Sequence, residues 1–357
     1  MKILITGICG FAGSTLARGL RAWREDVAIT GIDNFSRPGS RGNLDTLRHE
    51  GIDARPGDVR HPRDLAACGD VDWLIDAAAN PSVLAGVDGR TGPAELLDHN
   101  LTGTIPMLEY CRERGIPFTL LSTSRVYSIP AMRAIPLRTA GNAFEPDPAG
   151  PTIPGCGAAG ITEEFSTEPP VSLYGASKRC AELLALEYAD AFGFPVWINR
   201  CGVLAGAGQF GKPDQGIFSY WIHAWARRHP LKFLGFGGNG HQVRDCLHPL
   251  DLLPLLWRQW EHGTATGKPR LANVSGGLES AMSLAGLSDW CEARLGKHEV
   301  TRDGGDRAYD LPWVVLDSTR ARQAWNWHPR ISREAILGEI LGHAKDRPDW
   351  LAISGAL

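Results

Sequence analysis

The chain has 357 residues, of which 43% are hydrophobic and 22% are charged, and its formal net charge is −3. This balance is typical of a folded globular protein with a sizeable core, so it excludes a disordered chain, a fibrous repeat and a small disulfide-held protein. A near-neutral charge gives no indication of nucleic-acid binding. No apolar run approaches the ~18 residues of a membrane span, and the first residues lack the pattern of a secretory signal. We therefore expect a cytoplasmic protein with neither membrane nor nucleic-acid partners.

The eight cysteines and eleven histidines show no spacing typical of metal ligands. No two cysteines are close enough in sequence to form a ligand pair, and no His-Glu-x-x-His segment occurs. A cytoplasmic chain keeps its thiols reduced. The sequence therefore predicts neither a disulfide framework nor a bound metal.

Short apolar runs and helical patterns alternate through the first 200 residues. The expected strands cover residues 2–6, 27–33, 73–79, 118–122 and 195–200. One expected helix begins at Gly13, and two others cover residues 93–114 and 174–192. Alternation of this kind is typical of an α/β fold with a parallel sheet between two layers of helices. We therefore predict a Rossmann-like doubly wound parallel sheet.

A glycine-rich turn connects the first expected strand to the first helix. Gly7, Gly10 and Gly13 are its glycines, and Phe11 and Ala12 complete it. Glycines at these positions permit a tight turn, close approach of a pyrophosphate to backbone N–H groups, and close helix packing. The helix N-terminus adds partial positive charge. The turn therefore predicts a dinucleotide site.

An acidic residue at the end of the second strand bears on which dinucleotide binds. The Asp33 carboxylate can accept both ribose hydroxyls and would repel a 2′-phosphate, which favours NAD over NADP. Arg37 and Arg41 follow closely and leave NADP open. Asp58 and Val59 follow a third strand and either cap the adenine or form an ordinary turn. The further predicted cofactor-binding residues are Asn34, Arg37, Asp58, Val59, Ala77, Ala78, Ala79 and Asn100.

Two compositional changes divide the rest of the chain. Residues 128–170 are rich in proline and glycine without periodicity, which predicts an irregular insertion over the sheet edge, either a lid or a passive surface loop. Beyond residue 200 the patterns shorten and tryptophans become frequent. We therefore predict an NAD-binding domain over 1–200, which takes back part of 240–262, and a smaller mixed substrate domain over 201–357.

Candidate catalytic groups lie at the start of the helix expected over 174–192. Tyr174 and Lys178 are four residues apart, so both side chains lie on one helix face. A tyrosine with a pKa of ~10 is a poor base unless a nearby cation favours its phenolate, and Lys178 supplies that cation. Hydroxyl residues at 122–124 end the fifth strand, where doubly wound sheets bind ligands.

These residues resemble the extended short-chain dehydrogenase/reductase family over nearly the whole chain. The resemblance implies a catalytic triad of Thr123, Tyr174 and Lys178 that works with NAD. Sugar-nucleotide 4,6-dehydratases carry Asp-Glu after the triad threonine, and glucuronate decarboxylases carry a Glu there. Ser124 and Arg125 occupy those positions here, so neither elimination nor decarboxylation is expected.

The chain is similar to the CDP-tyvelose (CDP-paratose) 2-epimerase family in segment 32–37 and, in its second half, in segments 209–210, 214–216 and 240–248. The resemblance implies that Arg244 approaches the nucleotide diphosphate, as a fork of donors suits phosphate oxygens. A structural ion pair with Asp245 is the alternative role. The predicted substrate-binding residues are Asn80, Ser124, Arg125, Gln209, Phe210, Gln215, Gly216, Arg244 and Arg307.

The chain also departs from its relatives. Ser128 replaces a glycine, and Val203 stands where many relatives have a substrate-binding Asn. Pro312 stands where a second phosphate-binding Arg is common, and Arg302 or Arg307 is its candidate replacement. These differences leave the triad complete but leave the substrate open.

The resemblance implies an epimerase that keeps NAD bound and performs no net oxidation, acting on C2 of a CDP-linked hexose. A UDP-sugar 4-epimerase is the first alternative, and a freely exchanging NADP reductase and a non-catalytic nicotinamide sensor are others. The expected partner is a nucleotide-diphosphate sugar. Helices 93–114 and 174–192 either pair across a two-fold axis as a homodimer or simply cover the sheet.

Overall fold

The structure is a computed structural model that describes residues 1–265, 267–305 and 307–357. The strands, in chain order, are β1 Lys2–Thr6, β2 Ala28–Asp33, β3 Asp53–Pro56, β4 Trp73–Asp76, β5 Phe118–Thr123, β6 Leu137–Ala140, β7 Ala143–Pro146, β8 Cys156–Gly157, β9 Gly160–Ile161, β10 Val196–Cys201, β11 Val203–Leu204, β12 Leu231–Leu234, β13 Val243–Arg244, β14 Cys246–Leu247, β15 Leu271–Val274, β16 Met282–Ser283, β17 Val300–Asp303 and β18 Trp313–Val314. The α-helices are α1 Phe11–Trp23, α2 Gly42–His49, α3 Pro62–Ala66, α4 Pro93–Leu97, α5 Thr104–Arg114, α6 Ile129–Arg133, α7 Ser172–Phe192, α8 Ile217–Ala226, α9 Leu253–His262, α10 Leu284–Leu295, α11 Thr319–Trp325, α12 Arg333–Asp346 and α13 Trp350–Ile353.

Seven parallel strands form the central sheet in the order β15-β10-β5-β4-β1-β2-β3. The predicted Rossmann-like doubly wound sheet is therefore confirmed. The direction of strand addition reverses between β1 and β4, and the carboxyl ends of these strands open a crevice at that point. The five strands expected from the apolar runs are all present, with ends shifted by a few residues.

The side chains of β1 show why the sheet is covered on both faces. Ile3 and Ile5 belong to a core that includes Leu16 and Leu20 of α1. Leu4 points to the other face and packs in a core formed with α5 and α7. Successive side chains of a strand alternate between faces, so a continuous apolar run such as this one needs a layer of helices on each side.

The helix expected over 93–114 is interrupted by a π-helical turn, Asp98–Thr102, between α4 and α5. Pro106 lies in the first turn of α5 and has no backbone N–H to donate. In a regular helix its ring would also clash with the carbonyl group four residues earlier. The helical hydrogen-bonding pattern widens just before the proline, which is one way in which a helix accommodates it. The two segments still run as one helical layer.

The segment 128–170 is more regular than its sequence predicted. It contains α6, the antiparallel pair β6–β7 and the antiparallel pair β8–β9. Met132 and Phe165 of this segment are buried against Trp313 and Leu316 from near the C-terminus. Its apolar residues follow no repeat because each of them contacts a partner far away in sequence, so periodicity did not predict this packing.

The second half has its own core and also returns to the central sheet. Trp221 and Trp225 of α8 are buried in a core that α10 and α12 complete. The segment 249–274 leaves this core: α9 packs in the same core as α1, and β15 pairs with β10 at the sheet edge. The domain boundary at residue 200 stays a prediction. None of the helices in the described residues combines the length and the apolar character needed to cross a lipid bilayer.

Candidate active site

A cavity of about 370 Å³ lies at the carboxyl ends of the central strands, between the sheet and the second half. Its wall combines the glycine turn, the ends of β4 and β5, the start of α7, and segments of the second half around 209–218, 242–244, 282–287 and 307–310. Sixteen of the residues predicted for the site line it: Gly10, Phe11, Ala12, Arg37, Ala77, Ala79, Thr123, Ser124, Arg125, Tyr174, Gln209, Phe210, Gln215, Gly216, Arg244 and Arg307. No residue of segment 128–170 is part of this wall.

The glycine turn has the geometry of a phosphate-binding turn. Gly7 has φ of +63°, and its N–H donates to the Ile32 carbonyl at 2.9 Å. A Cβ on Gly13 would lie 2.2 Å from the Gly7 carbonyl oxygen, so α1 packs directly against the turn. The first N–H groups of a helix have no acceptor within the helix, and those of α1 begin at the cavity wall beside Gly10. These residues therefore fit the pyrophosphate of a dinucleotide.

Asp33 and its neighbouring arginines favour NAD over NADP. The buried Asp33 carboxylate accepts from the Cys9 N–H at 3.0 Å and the Phe35 N–H at 2.8 Å. Burial raises the pKa of Asp33, and these backbone N–H groups act in the opposite direction. Arg37 donates to Gln215 Oε1 at 2.7 Å, and Arg41 lies over the Phe35 ring at 4.4 Å. Both arginines are therefore engaged within the protein rather than directed to a 2′-phosphate.

Other residues predicted for the cofactor have structural partners. The Asp58 carboxylate accepts hydrogen bonds from Arg60 and from Asn34, and Arg60 holds the pKa of Asp58 well below its usual range. Asn100 bonds to the backbone N–H and C=O of Asn80, so it fixes the loop after β4. Gly7, Gly13, Asp33, Asn34, Asp58, Val59, Ala78, Asn80, Asn100 and Lys178 lie outside the cavity wall, and their binding roles stay predictions.

Two of the three predicted catalytic residues, Thr123 and Tyr174, line the cavity, and Lys178 is buried behind its wall. Tyr174 and Lys178 lie one turn apart on α7, and Thr123 ends β5. Burial raises the pKa of Tyr174, whereas a hydrogen bond with the Thr123 hydroxyl and the charge of Arg125 act in the opposite direction. Lys178 is 3% exposed. The site thus holds a phenol whose ionisation depends on nearby donors and cations.

A buried ion pair fixes α7 against the sheet. Glu182, one turn beyond Lys178, accepts from Arg200 at 2.9 and 2.7 Å and from the Ser122 hydroxyl at 2.6 Å. Ser122 immediately precedes Thr123, so Glu182 connects the helix of Tyr174 with the strand of Thr123. Gly175 permits the close approach, because a Cβ there would lie 2.2 Å from the Arg125 carbonyl oxygen.

Asp76 is a buried acid that sequence reasoning missed. It ends β4, is 2% exposed and accepts from the Thr6 hydroxyl at 2.7 Å. Burial raises the pKa of Asp76, and the positive charge of the Lys178 ammonium lowers it. The signal available in the sequence was its position at the end of a strand. Its immediate neighbours in sequence are apolar, so no motif marked Asp76 as a candidate site residue.

Arg244 pairs with Asp310 rather than with Asp245. Arg244 Nη2 donates to Asp310 Oδ1 at 3.1 Å. The Asp245 carboxylate accepts from the Leu316 N–H at 2.9 Å instead, so the alternative ion pair considered for Arg244 is wrong. Alternate strand residues point to opposite sides, and neighbours on one strand therefore face different surroundings.

Arg125 and Arg307 join Arg244 to make this part of the wall positive. Arg125 Nη1 donates to the Tyr309 carbonyl at 3.1 Å. Burial lowers the pKa of Arg125 to about 10, and the charge of Arg244 contributes in the same direction. Arg307 lines the same wall, so it is the better placed of the two candidates for the second phosphate-binding arginine. Three cations against the Asp310 carboxylate leave an excess of positive charge suited to a diphosphate.

Several residues of the wall belong to none of the motifs found in the sequence. These are Met282, Ser283, Leu284, Leu287, Ala308 and Tyr309, together with Pro81 and Val83. Ser283 caps α10 through the Gly286 N–H at 2.9 Å, a local signal for a helix start but not for a binding site. Tertiary packing alone brings these residues to the cavity.

Comparison with known proteins agrees with this geometry. Residues 3–275 match the NAD dependent epimerase/dehydratase family. The chain belongs to this family. The extended short-chain dehydrogenase/reductase prediction is therefore confirmed, and so are an enzyme of the sugar-nucleotide epimerase type and NAD as its cofactor.

Several members of the epimerase/dehydratase family are similar over almost the whole chain. A UDP-glucuronate 4-epimerase from Thermodesulfobacterium geofontis is 25% identical in an alignment of 360 positions that covers 96% of each chain. A CDP-paratose 2-epimerase from Salmonella typhi is 26% identical and covers 93% of this chain and 96% of its own. A UDP-glucose 4-epimerase from Corynebacterium glutamicum is 27% identical, with coverages of 92% and 91%.

Solved structures of the family share the fold. The crystal structure of UDP-glucuronic acid 4-epimerase from Bacillus cereus, in complex with UDP-glucuronic acid and NAD, superposes with a TM-score of 0.76 at 23% identity. The match covers 97% of this chain and 99% of that one. At this identity the likeness shows the fold alone. The relatives differ in nucleotide and in the carbon that their names imply, so they leave the substrate of this epimerase/dehydratase open.

Proposed function

We propose that the protein is a nucleotide-sugar epimerase that oxidises one ring carbon transiently and reduces it again on the opposite face. The observation that carries this proposal is the pair Ser124 and Arg125 directly after Thr123, both in the cavity wall beside Tyr174. Neither side chain is a carboxylate, so this position supplies no acid or base for eliminating water. The NAD-dependent oxidation itself needs only a base, which Tyr174 provides.

The proposed roles follow from the positions of the three catalytic residues. When bound in this cavity, NAD would supply the acceptor, and afterwards the donor, of the hydride that leaves and returns to the sugar carbon. The Tyr174 phenolate takes the proton from the hydroxyl on that carbon and gives it back after the planar keto-sugar has presented its other face. Thr123 holds the reacting hydroxyl through its own side chain. Lys178 favours the phenolate by its charge and holds the nicotinamide ribose.

The substrate that we propose is a CDP-linked hexose or deoxyhexose, inverted at C2. Support comes from the CDP-paratose 2-epimerase of Salmonella typhi, and from Arg244 and Arg307 in the wall where a diphosphate would lie. Asn80, Gln209, Phe210, Gln215 and Gly216 complete the proposed substrate site. A UDP-sugar 4-epimerase is the second candidate, because relatives with that activity in their names are equally similar.

We also propose that two copies pair through α5 and α7 as a cytoplasmic homodimer. Ile105, Leu183 and Phe192 are 42%, 46% and 54% exposed on these helices. Their opposite faces cover the sheet, so the two roles considered for these helices are compatible. Large apolar side chains on adjacent exposed helices are the kind of surface that a second copy covers.

The test is Tyr174→Phe assayed with CDP-paratose, UDP-glucose and UDP-glucuronate. We expect the wild type to carry about one equivalent of NAD or NADH per subunit after purification without added cofactor, and to epimerise the CDP-sugar. The variant should keep the NAD and lose turnover, because the phenolate oxygen is missing but the dinucleotide site is unchanged. Retained turnover in the variant, or a protein that releases NADH at every cycle, would refute the proposal.

A further inference from the structure

A tight turn of the second half belongs both to the cavity wall and to the protein surface. Residues 212–215 form this turn, and backbone hydrogen bonds between Lys212 and Gln215 close it. Pro213 and Asp214, at its tip, line the cavity, and Pro213 is also exposed to solvent. At Pro213 the wall is therefore one residue thick, so an outward movement of the turn would open the cavity.

A hydrogen bond joins this turn to the loop that follows β4. The Ser82 hydroxyl donates to Asp214 Oδ2 at 2.7 Å, and the two residues are 132 positions apart in the chain. Pro81 and Val83, on either side of Ser82, line the cavity as well. The bond therefore connects a cavity-lining loop of the central sheet with a cavity-lining turn of the second half.

The loop that carries Ser82 is fixed to the helical layer over the sheet. The Ser82 N–H donates to Asn80 Oδ1 at 3.3 Å, and the backbone of Asn80 exchanges two hydrogen bonds with the Asn100 side chain. Asn100 lies in the π-helical turn between α4 and α5. This side of the contact therefore stays in place when the other side moves.

The turn 212–215 can move as one unit. The chain before it is anchored, because the Trp350 indole N–H donates to the Gln209 carbonyl at 2.8 Å and the Ser354 hydroxyl donates to the Gly211 carbonyl at 3.2 Å. Gly216 follows it with φ of +69°, a conformation that other residues rarely adopt. Moving segments commonly rotate about a few such residues at their ends.

Two arginines also hold the turn. Arg37 donates to Gln215 Oε1 at 2.7 Å, and Arg307 Nη2 donates to the Pro213 carbonyl at 3.1 Å. Both arginines line the cavity and are predicted ligand-binding residues, so their substitution would change ligand contacts together with the turn. Ser82 is not part of the cavity wall, so it allows the closure to be tested separately from ligand contacts.

The cavity is small for the two ligands that the proposed reaction needs. Its volume of about 370 Å³ lies near the lower end of the ~300–1,000 Å³ typical of ligand pockets. A nucleotide sugar and the reactive end of NAD must both occupy it, so the wall has to open.

Resting on the proposed function, we propose that the turn 212–215 is a gate that the Ser82–Asp214 hydrogen bond holds shut. The gate opens to admit the nucleotide sugar and closes over it while the ring carbon is oxidised. A closed gate keeps the keto-sugar beside the reduced cofactor. Escape of the keto-sugar would leave NADH on the protein and end the cycle.

The test measures the association and dissociation rate constants of CDP and of UDP with the NAD-loaded protein, by stopped-flow tryptophan fluorescence. The wild type is compared with Ser82→Ala and Asp214→Ala, each checked for wild-type NAD content. We expect both rate constants to rise about fivefold in each variant, the effect of ~1 kcal/mol on the opening of the gate. The dissociation constants should change little, because the closed gate makes the same bond with and without the nucleotide.

Three further variants control for other effects of these substitutions. Asp214→Asn keeps an oxygen that can accept from Ser82, so it should restore most of the wild-type behaviour. The double variant with Ala at both positions should be no faster than either single variant, because both remove the same bond. Asp88→Asn lies on the same loop as Ser82, where Asp88 accepts from the Arg90 and Thr91 N–H groups, and should leave the rate constants unchanged.

The gate is refuted if Ser82→Ala binds the nucleotides with wild-type rate constants, or if the effects of the two alanine substitutions add in the double variant. A rise in the dissociation rate constant alone would also refute it, because that result indicates a lost ligand contact rather than a lost closure.

These rate constants distinguish the gate from the proposed function. Rate constants that depend on Ser82, in a protein that epimerises none of the three sugar nucleotides named above, would support the gate and refute the proposed reaction. Epimerisation with wild-type rate constants in Ser82→Ala would refute the gate alone. If neither nucleotide binds, the proposed nucleotide-sugar site is refuted, and the gate with it.

Discussion

Replacing Glu182 with Gln tests whether the buried ion pair behind the catalytic residues holds the site together. Glu182 is fully buried and Arg200 is 2% exposed, and the two are joined by two hydrogen bonds of 2.9 and 2.7 Å. The substitution keeps the shape but leaves the Arg200 guanidinium buried without a charged partner. Breaking such a pair costs about 3–5 kcal/mol, a large share of a typical total stability of ~5–15 kcal/mol.

The assay is equilibrium urea denaturation followed by tryptophan fluorescence, with kcat measured on the same preparations. Glu50→Gln is the control, because Glu50 pairs with Arg18 at 2.8 Å on the surface, where the two side chains are 34% and 55% exposed. A surface pair of this kind contributes less than about 1 kcal/mol. We also expect kcat to fall in Glu182→Gln alone, because Ser122 loses a charged acceptor next to Thr123.

A double variant, Glu182→Met with Arg200→Met, completes the cycle. Removing both charges leaves no unpaired charge at these two buried positions. Arg179 also donates to Glu182, at 3.1 Å, but its side chain is 28% exposed and can be solvated, so most of the lost free energy of unfolding should return. The reasoning fails if Glu182→Gln is no less stable than Glu50→Gln, or if the double variant is less stable than the single one. Either result would mean that packing, rather than the charge pair, fixes α7 to the sheet.

Three further predictions follow from the same structure. Asp33→Asn should weaken NAD binding by about tenfold, because a charge-assisted hydrogen bond to the ribose is lost. The preference of the protein for NAD over NADP should also decrease, and fluorescence titration with each dinucleotide measures both effects. Burial lowers the pKa of His223 from 6.5 to about 4, so the unfolded chain binds the proton more readily. The free energy of unfolding should therefore be unaffected by His223 above pH 6.5 and fall by up to about 3 kcal/mol as the pH drops towards 4. Urea denaturation of His223→Gln over the same pH range should show a smaller fall. Leu183→Asp should shift the dimer to a monomer in light scattering, whereas Glu187→Asp on the same helix should not.

Local signals in the sequence predicted NAD as the cofactor and several residues that line the cavity. The glycine turn, Asp33 and the pair Tyr174 and Lys178 each lie within one strand–turn–helix unit. Their meaning depends on spacing along a single element, which the sequence contains in full. The apolar runs likewise predicted the parallel sheet, because strands buried on both faces need continuous hydrophobic residues.

Contacts between distant segments explain what the sequence left open. Segment 128–170 appeared irregular because its apolar residues pack on 311–316, and no local repeat records that contact. Arg37 was assigned to the cofactor, yet its partners are Phe210 and Gln215 in the second half. Such pairings depend on how the two halves meet, which a single sequence does not specify.

The sequence by itself therefore determined the fold class and NAD as the cofactor, since both depend on patterns within short strand–turn–helix units. The tertiary structure decided which carboxylate Arg244 meets and which of the two candidate arginines lines the cavity with it. The physical reason is that charge pairing and hydrogen-bond satisfaction are properties of three-dimensional neighbours. Asp245 is adjacent to Arg244 in the chain, but Asp310, 66 residues away, is adjacent in space.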